Sequence, residues 1–130
     1  MNTSMINIFY PVTPKSAPRP RVTKNGTYNS KDYTQWKNGL KLLANTKFKK
    51  PLYGAIFMKI DFFYEIPKSW TIKKKAEAKW HTSRPDIDNL QKSVLDALNG
   101  IAFNDDSQVC LIQARKQYAQ FDGVKIEIYQ

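Results

Sequence analysis

The chain has 130 residues, and its 21 Lys and Arg residues against 11 Asp and Glu residues give a formal net charge of +10 at pH 7. The length predicts a single domain, 1–130, and a hydrophobic content of 42% is enough for an ordinary core, which argues against intrinsic disorder. No apolar run approaches the roughly 18 residues of a membrane span, and the amino terminus lacks the pattern of a secretory signal. A single cysteine cannot form an internal disulfide, so we expect a cytoplasmic protein with no membrane partner.

The positive charge is unevenly distributed. Residues 1–85 contain 17 Lys and Arg and 4 Asp and Glu, an excess of 13 positive charges, whereas residues 86–130 contain 4 and 7, an excess of 3 negative charges. Lys and Arg attract nucleic acid because they release the counterions of its phosphates. The charge therefore indicates a polyanionic partner, but a protein that only coats phosphate would gain little from acids gathered in one window.

In the first half of the chain, residues 6–9 predict a short strand, and the four prolines that follow predict an extended loop carrying Arg19 and Arg21. Apolar residues then recur three or four apart, which predicts a helix from Ser30 to about Lys47. Between residues 54 and 65, apolar and polar side chains alternate, as in a half-buried strand.

In the second half, the basic segment 70–79 predicts a short helix, and Pro85 predicts extended chain over residues 82–86. An apolar stripe from about Asp88 to Asn99 predicts a second long helix, which Gly100 ends.

The last two segments, 109–118 and 124–129, predict two strands joined by a turn, which we interpret as a C-terminal β-hairpin. This order of elements predicts an α/β fold of the α+β type, with helices packed on a mixed sheet.

Four acidic residues make a catalytic function a serious hypothesis. Asp86 and Asp88 stand two residues apart before the predicted helix, and Asp105 and Asp106 stand in a polar turn before residue 109. Paired carboxylates repel unless a cation lies between them, and Mg²⁺ prefers carboxylate oxygens. If the helix packs back on the sheet, its connection brings the second pair to the first, which predicts a metal site.

Lys92 follows Asp88 by one helical turn and lies on the same polar face. It either pairs with Asp88 across that turn or places a positive charge where a phosphoryl transition state needs it. Asp96 is interpreted as a solvated helix residue or a partner of Lys92. Lone His81 is expected to be solvated or to contact phosphate, and Cys110 is expected to be a small buried hydrophobic residue.

Structural roles for the acids stay open at this point, since Asp88 is a plausible helix N-cap and Asp105-Asp106 a plausible turn. In that case the chain is a non-catalytic basic nucleic-acid-binding protein. A third hypothesis is a small metal-dependent phosphohydrolase acting on nucleotides, which needs the acids but hardly needs the basic first 85 residues.

The sequence resembles the RusA-type Holliday junction resolvases, a family of crossover junction endodeoxyribonucleases. The resemblance covers most of the chain: residues 67–70 and 80–82 contribute to it, and it extends weakly to residues 19–22. Its specific part is Arg84-Pro85-Asp86-Ile87-Asp88-Asn89-Leu90-Gln91-Lys92, continuing through residues 95–100 into Asn104-Asp105-Asp106-Ser107-Gln108-Val109.

The resemblance implies a homodimeric, Mg²⁺-dependent endonuclease, in which Mn²⁺ can substitute, that makes paired symmetric nicks in four-way DNA junctions during recombination and repair. It also implies a bacterial or phage origin. Carried over by position, the catalytic residues are Asp86, Asp88, Lys92 and Asp106, and the three aspartates are the metal ligands. DNA binding is assigned to the basic residues Arg19, Arg21, Lys73, Lys74, Lys75, Lys79 and Arg84. Trp70, Trp80, Tyr28 or Tyr33 is available to stack on opened bases.

Overall fold

The computed structural model describes residues 5–18, 21–23, 26–28 and 31–130. These residues form a four-stranded mixed sheet, a separate two-stranded sheet and three α-helices, so the expected α+β class is confirmed. No helix among them is long and apolar enough to cross a membrane. In chain order the elements are β1 (Met5–Tyr10), β2 (Arg21–Thr23), β3 (Gly26–Tyr28), α1 (Lys31–Asn45), β4 (Ile56–Glu65), α2 (Ile72–Glu77), α3 (Ile87–Leu98), a short 3₁₀ helix (Asp106–Gln108), β5 (Val109–Ala119) and β6 (Gly123–Tyr129).

Most of these elements were predicted within a few residues of their bounds. The small β2–β3 pair lies where an extended loop was expected, because two three-residue strands are too short to show an alternating pattern. The short basic helix begins after Thr71, whose Oγ1 accepts a hydrogen bond from the Lys74 amide at 3.1 Å. The proposed N-cap Ser30 lies outside the described residues.

The large sheet has the strand order β1-β6-β4-β5, with β5 parallel to β4 and β6 antiparallel to both β1 and β4. The predicted C-terminal β-hairpin is therefore wrong, since β4 lies between the two strands that were expected to pair. Alternation along a strand indicates which face is buried, but it does not say which strand is the neighbour.

The connection between β5 and β6 crosses over the carboxyl end of β4. An Asp122 carboxylate oxygen accepts a hydrogen bond from the Glu65 amide at 2.8 Å, and the Ile66 amide donates to the Ala119 carbonyl at 3.0 Å. These bonds satisfy the backbone at the end of β4 and hold the crossing in place. A turn that looks like a hairpin loop in the sequence thus spans a third strand.

The core lies between one face of the sheet and helices α1 and α3. Alternate residues of β4 face it, and the apolar stripe of α3 packs there with them. The residues at the centre of this core are at most 1% exposed: Ile56, Met58, Ile60, Phe62, Leu90, Val94, Ala97 and Leu98. Since β4 and β5 are parallel, α3 is the crossover between them and runs antiparallel to both.

The other face of the sheet has no helix among the described elements packed on it. Its side chains include apolar residues that are about half exposed, such as Phe9 at 45% and Leu111 at 53%. An ion pair between Asp61 and Arg115, with 2.7 Å between Oδ1 and Nε, lies on the same face.

Candidate active site

The first acidic pair lies at the amino terminus of α3. Asp86 is the residue before the helix, and its side chain makes no capping hydrogen bond. Asp88 lies in the first turn, where its Oδ1 accepts a hydrogen bond from the Asn89 amide at 2.9 Å. Both carboxylates are exposed at the amino-terminal end of the helix. The alternative in which Asp88 is the N-cap is wrong, because that position belongs to Asp86.

The loop that carries Asp86 is tied to β5 by two partly exposed hydrogen bonds. The Lys116 ammonium donates to the carbonyl oxygens of Ser83 and Pro85, both at 2.6 Å. The Arg84-Pro85 peptide bond in this loop is cis. Sequence reasoning missed Lys116, although its signal was present: it lies on the strand face whose neighbouring members, Ile112 and Ala114, pack against the core.

Asp86 borders an open cleft of about 580 Å³. The cleft lies between the start of α3 and the proline-rich segment, and the Ala17 amide fixes that segment by donating to the Asn89 carbonyl at 3.1 Å. Its lining is polar and charged: Ser16, Arg84, Pro85, Asp86 and Asn89. A cleft of this size has room for a hydrated cation together with a phosphate group.

The second acidic pair begins the 3₁₀ helix. The Asp105 carboxylate caps that helix by accepting from the Ser107 amide at 3.4 Å, and Gln108 Oε1 accepts from the Asp105 amide at 3.1 Å. Hydrogen bonding from Ser107 holds the pKa of Asp105 below its ordinary value. Asp106 is exposed and takes no part in this capping box, which favours it over Asp105 as a residue available for a ligand.

The two acidic pairs lie at opposite ends of α3. Gln108 Nε2 donates to the carbonyls of Leu52 and Gly54, both at 3.0 Å, which places the 3₁₀ helix beside the start of β4. Asp86 lies instead beside Lys116, near the carboxyl end of β5. The 12 residues of α3 span about 18 Å. The seven-residue step from Val109 to Lys116 spans about 23 Å along β5.

The expectation that one chain brings both pairs together is therefore wrong. A helix that connects two parallel strands runs from one end of the sheet to the other, so residues before and after it lie far apart. Accordingly, no group of three or more His, Cys, Asp or Glu side chains in the described ranges is arranged to hold a metal ion.

Lys92 is exposed on α3, and no ion pair to Asp88 or Asp96 occurs among the residues that the structure describes. The simple intrahelical pair is thus not formed. Asp96 has a different partner, the Tyr33 hydroxyl, which donates to it at 2.9 Å and links α1 to α3. Burial and this bond together raise the pKa of Tyr33 well above its ordinary value. Asp96 is therefore a structural residue, and Lys92 remains available beside the first acidic pair.

Basic residues flank Asp86 at the carboxyl end of β5. The Tyr118 amide donates to the Lys79 carbonyl at 2.8 Å, and the His81 amide donates to the Lys116 carbonyl at 3.1 Å, so the segment after α2 runs along this part of the strand. The side chains of the predicted DNA-binding residues here are exposed: Lys73, Lys74, Lys75, Lys79 and Arg84. Arg21 belongs to β2, and Arg19 lies outside the described residues.

Aromatic side chains line a second cleft, of about 440 Å³, between α2 and this segment. Lys74 Nζ lies 4.1 Å from the ring centroid of Trp70, and Lys79 Nζ lies 5.2 Å from that of Trp80. Trp80 is 50% exposed, so part of its surface is accessible to a base.

His81 is packed between aromatic rings. Its ring stacks on Tyr64 with centroids 3.9 Å apart, and its Nδ1 is buried without a hydrogen-bond partner in the described part of the chain. Burial and the nearby Lys116 ammonium lower the pKa of His81. The expected solvated imidazole is thus a packed one. The expectation of a buried Cys110 is also wrong, because its thiol is exposed.

The chain is similar to known proteins over most of its length. Residues 11–129 match the profile of a family described as Endodeoxyribonuclease RusA. Over 126 residues the chain is 30% identical to "Uncharacterized protein YqaN" of Bacillus subtilis (strain 168), a match that covers 88% of this chain and 89% of that protein. Over 72 residues it is 36% identical to "Crossover junction endodeoxyribonuclease rusA" of Lactococcus phage r1t, with coverage of 55% of this chain and 51% of that protein.

Proposed function

The chain belongs to the RusA family of endodeoxyribonucleases, hydrolytic nucleases of crossover junctions, and we propose that it acts as a homodimer whose two active sites each take acids from both subunits. One observation carries this proposal. Asp86 and Asp88 lie at the opposite end of α3 from Asp106, so a single chain offers two half-sites and no complete one. A two-fold axis that brings the end of one subunit beside the start of the other completes both sites at once.

The residues fit a divalent metal. Nucleases of this family depend on divalent metal ions, and we propose Mg²⁺, with Mn²⁺ as a substitute, at Asp86, Asp88 and the partner's Asp106. The uncapped Asp86 carboxylate opens to the 580 Å³ cleft, and carboxylate oxygens are the ligands that Mg²⁺ prefers. A bound metal supplies an activated water and neutralises negative charge on the scissile phosphate.

The other residues of the site orient its acids or add positive charge. Lys92 adds a fixed positive charge on the α3 face next to the acids, where it stabilises charge that develops on the phosphate oxygens. Lys116 is a positioning residue, because its two bonds hold the loop that sets the direction of Asp86. The Lys and Arg side chains at the carboxyl end of β5 hold the DNA backbone beside the cleft.

Junction DNA suits this arrangement. A four-way junction has near two-fold symmetry and is resolved by two nicks in strands of like polarity, and a C2 dimer presents two identical sites in that relation. We propose that the substrate is four-way junction DNA in the cytoplasm of a bacterium, where the gene is chromosomal or carried by a phage.

The test uses labelled four-way, three-way and linear duplex DNA with Mg²⁺ or a chelator, and maps the cut positions on every strand. We expect paired nicks at symmetric positions of the four-way junction only when Mg²⁺ is present. Asp88→Asn should bind the junction as the wild type does and cut it at least about 100-fold more slowly, because the variant keeps the shape but loses a charged ligand. Binding without any cleavage would instead support a non-catalytic DNA-binding protein, and equal turnover of mononucleotides and junctions would support a phosphohydrolase.

A further inference from the structure

The outer edge of β5 is only partly occupied. In its second half, the Lys116 carbonyl and the Tyr118 amide bond with residues 79–81, and Trp80 forms a bridge with Gln117. Backbone groups alternate in direction along a strand, so Ile112 points its amide and carbonyl to the same edge as Lys116 does. In the described part of the chain, no backbone hydrogen bond outside the β4–β5 ladder involves residues 110–115.

This open stretch is short and has two defined ends. Beyond Ala114 the edge is already taken by the segment that contains His81. Before Cys110 the backbone leaves the strand as the 3₁₀ helix. The free edge is thus residues 110–114, and its midpoint is Ile112. An edge strand with free backbone groups and no cover is a template for another strand.

We propose that this edge is the dimer seam: β5 of one subunit pairs antiparallel with β5 of the other about a two-fold axis at Ile112. The inference rests on the proposed shared active site and specifies how it is built. In this register Cys110 lies opposite the partner's Ala114, and Leu111 lies opposite the partner's Gln113. Such pairing is isologous, because both subunits use the same edge, and it joins the two sheets into one of eight strands.

This register brings the acids of the two subunits toward each other. In an antiparallel pair the start of one strand lies beside the end of the other, so the partner's Asp106, four residues before its Cys110, is carried toward the carboxyl end of β5 in the first subunit. Lys116 and its bonded neighbour Pro85 hold Asp86 at that end. The two-fold axis repeats the relation for the second site.

Two competing dimer surfaces do not bring the acids of the two subunits together. The edge of β1 lies on the far side of the sheet from β5, so pairing there separates the two α3 helices. The open sheet face, with Phe9 and Leu111, is the face opposite α3, so face-to-face packing puts both sheets between the acids of the two subunits. Of these three surfaces, only the β5 edge brings α3 of one subunit beside the 3₁₀ helix of the other.

A cysteine pair tests the seam in the full chain. Leu111 and Gln113 are exposed, and opposite residues at this kind of position have Cα atoms about 4.5 Å apart, within the range of a disulfide. The variant Leu111→Cys/Gln113→Cys, made together with Cys110→Ser, should form covalent dimers on mild oxidation and keep its cleavage of four-way junctions. The matched control is Asn7→Cys/Phe9→Cys with Cys110→Ser, on the same sheet face at the β1 edge, which should stay uncrosslinked.

The outcomes separate the seam from the shared site. A protein that is dimeric by light scattering but crosslinks no more at Leu111 and Gln113 than at the β1 control overturns the seam and leaves the shared-site dimer intact. A protein that cleaves junctions while monomeric overturns the proposed function itself.

Discussion

The Lys116 ammonium donates a 2.6 Å hydrogen bond to the Pro85 carbonyl, and this bond joins the end of one sheet strand to the loop that presents Asp86. A lysine on the inner face of a strand is costly unless its charge is satisfied, and here two carbonyl oxygens accept from it. Among the described residues, Lys116 forms no ion pair with Asp86, Asp88 or Asp106. Its role is therefore to set where the first carboxylate points.

Replacing Lys116 should impair catalysis more than DNA binding. In Lys116→Met the side chain keeps its length but loses the donors that hold Ser83 and Pro85, so the loop with Asp86 is less well ordered. We expect junction cleavage to fall about 10- to 100-fold, with a higher Mg²⁺ concentration needed for half-maximal rate, as for other residues that orient metal ligands. The control, Lys59→Met, removes an exposed lysine on the sheet face opposite α3. An unchanged Mg²⁺ requirement in Lys116→Met would contradict the positioning role.

The three lysines of α2 should contribute to DNA affinity through charge alone. Each phosphate contact adds about 0.9 to the slope of log affinity against log salt, so Lys73→Ala/Lys74→Ala/Lys75→Ala should reduce that slope by up to about 2.7. The control removes Lys59 and Lys125, which are also exposed but lie on the sheet face opposite α3. Fluorescence anisotropy with labelled junction DNA measures the slope of each variant. A change in slope no larger for the α2 variant than for the control would place the DNA elsewhere.

His81 should make the fold sensitive to mild acid. Because burial lowers its pKa below the ordinary value of 6.5, the unfolded chain binds a proton at a pH where the folded chain does not. The contribution of His81 to stability is therefore complete above pH 6.5 and is lost as the pH falls through that value to the folded-state pKa. His81→Phe keeps a ring against Tyr64 and cannot titrate, so its melting temperature should change less than that of the wild type between pH 7.5 and 5.5. Parallel thermal melts that change equally with pH would show that another group titrates.

Charge placed at the seam should control dimerisation in a sign-dependent way. In the proposed register residue 111 faces residue 113 of the other subunit, so Leu111→Glu/Gln113→Glu puts like charges opposite each other twice and should favour monomers. Leu111→Lys/Gln113→Glu puts opposite charges there and should remain dimeric. Both positions are exposed, so folding is retained. Light scattering at matched concentrations measures the oligomeric state of each variant. The same oligomeric state in both variants would contradict the register.

Local patterns predicted the elements well, but they did not predict how distant elements are arranged. The spacing of Leu90, Val94 and Leu98 identified α3 because a helix repeats its buried face at a fixed period. The hairpin was wrong because alternation in β5 and β6 carries no information about the β4 strand that lies between them.

The candidate site was also predicted only in its local features. The sequence indicated which acids stand out, and the structure identifies Asp105 as a cap and leaves Asp106 available. What local spacing could not show is that a parallel crossover separates Asp86 from Asp106 by the length of a helix. Lys116 was missed for a related reason, since its partners Ser83 and Pro85 are distant in sequence and are backbone atoms.

Mixing two inactive variants tests the shared site most directly. Asp88→Asn and Asp106→Asn are each expected to be inactive as homodimers. In a mixed dimer, one site combines both substitutions, and the other combines an intact Asp88 with an intact Asp106 from the opposite subunit. After subunit exchange about half of the dimers are mixed, so the mixture should recover about a quarter of the wild-type nicking, with one nick per junction. If each site instead took all its acids from one chain, no intact site would form, and a mixture as inactive as its components would contradict the account.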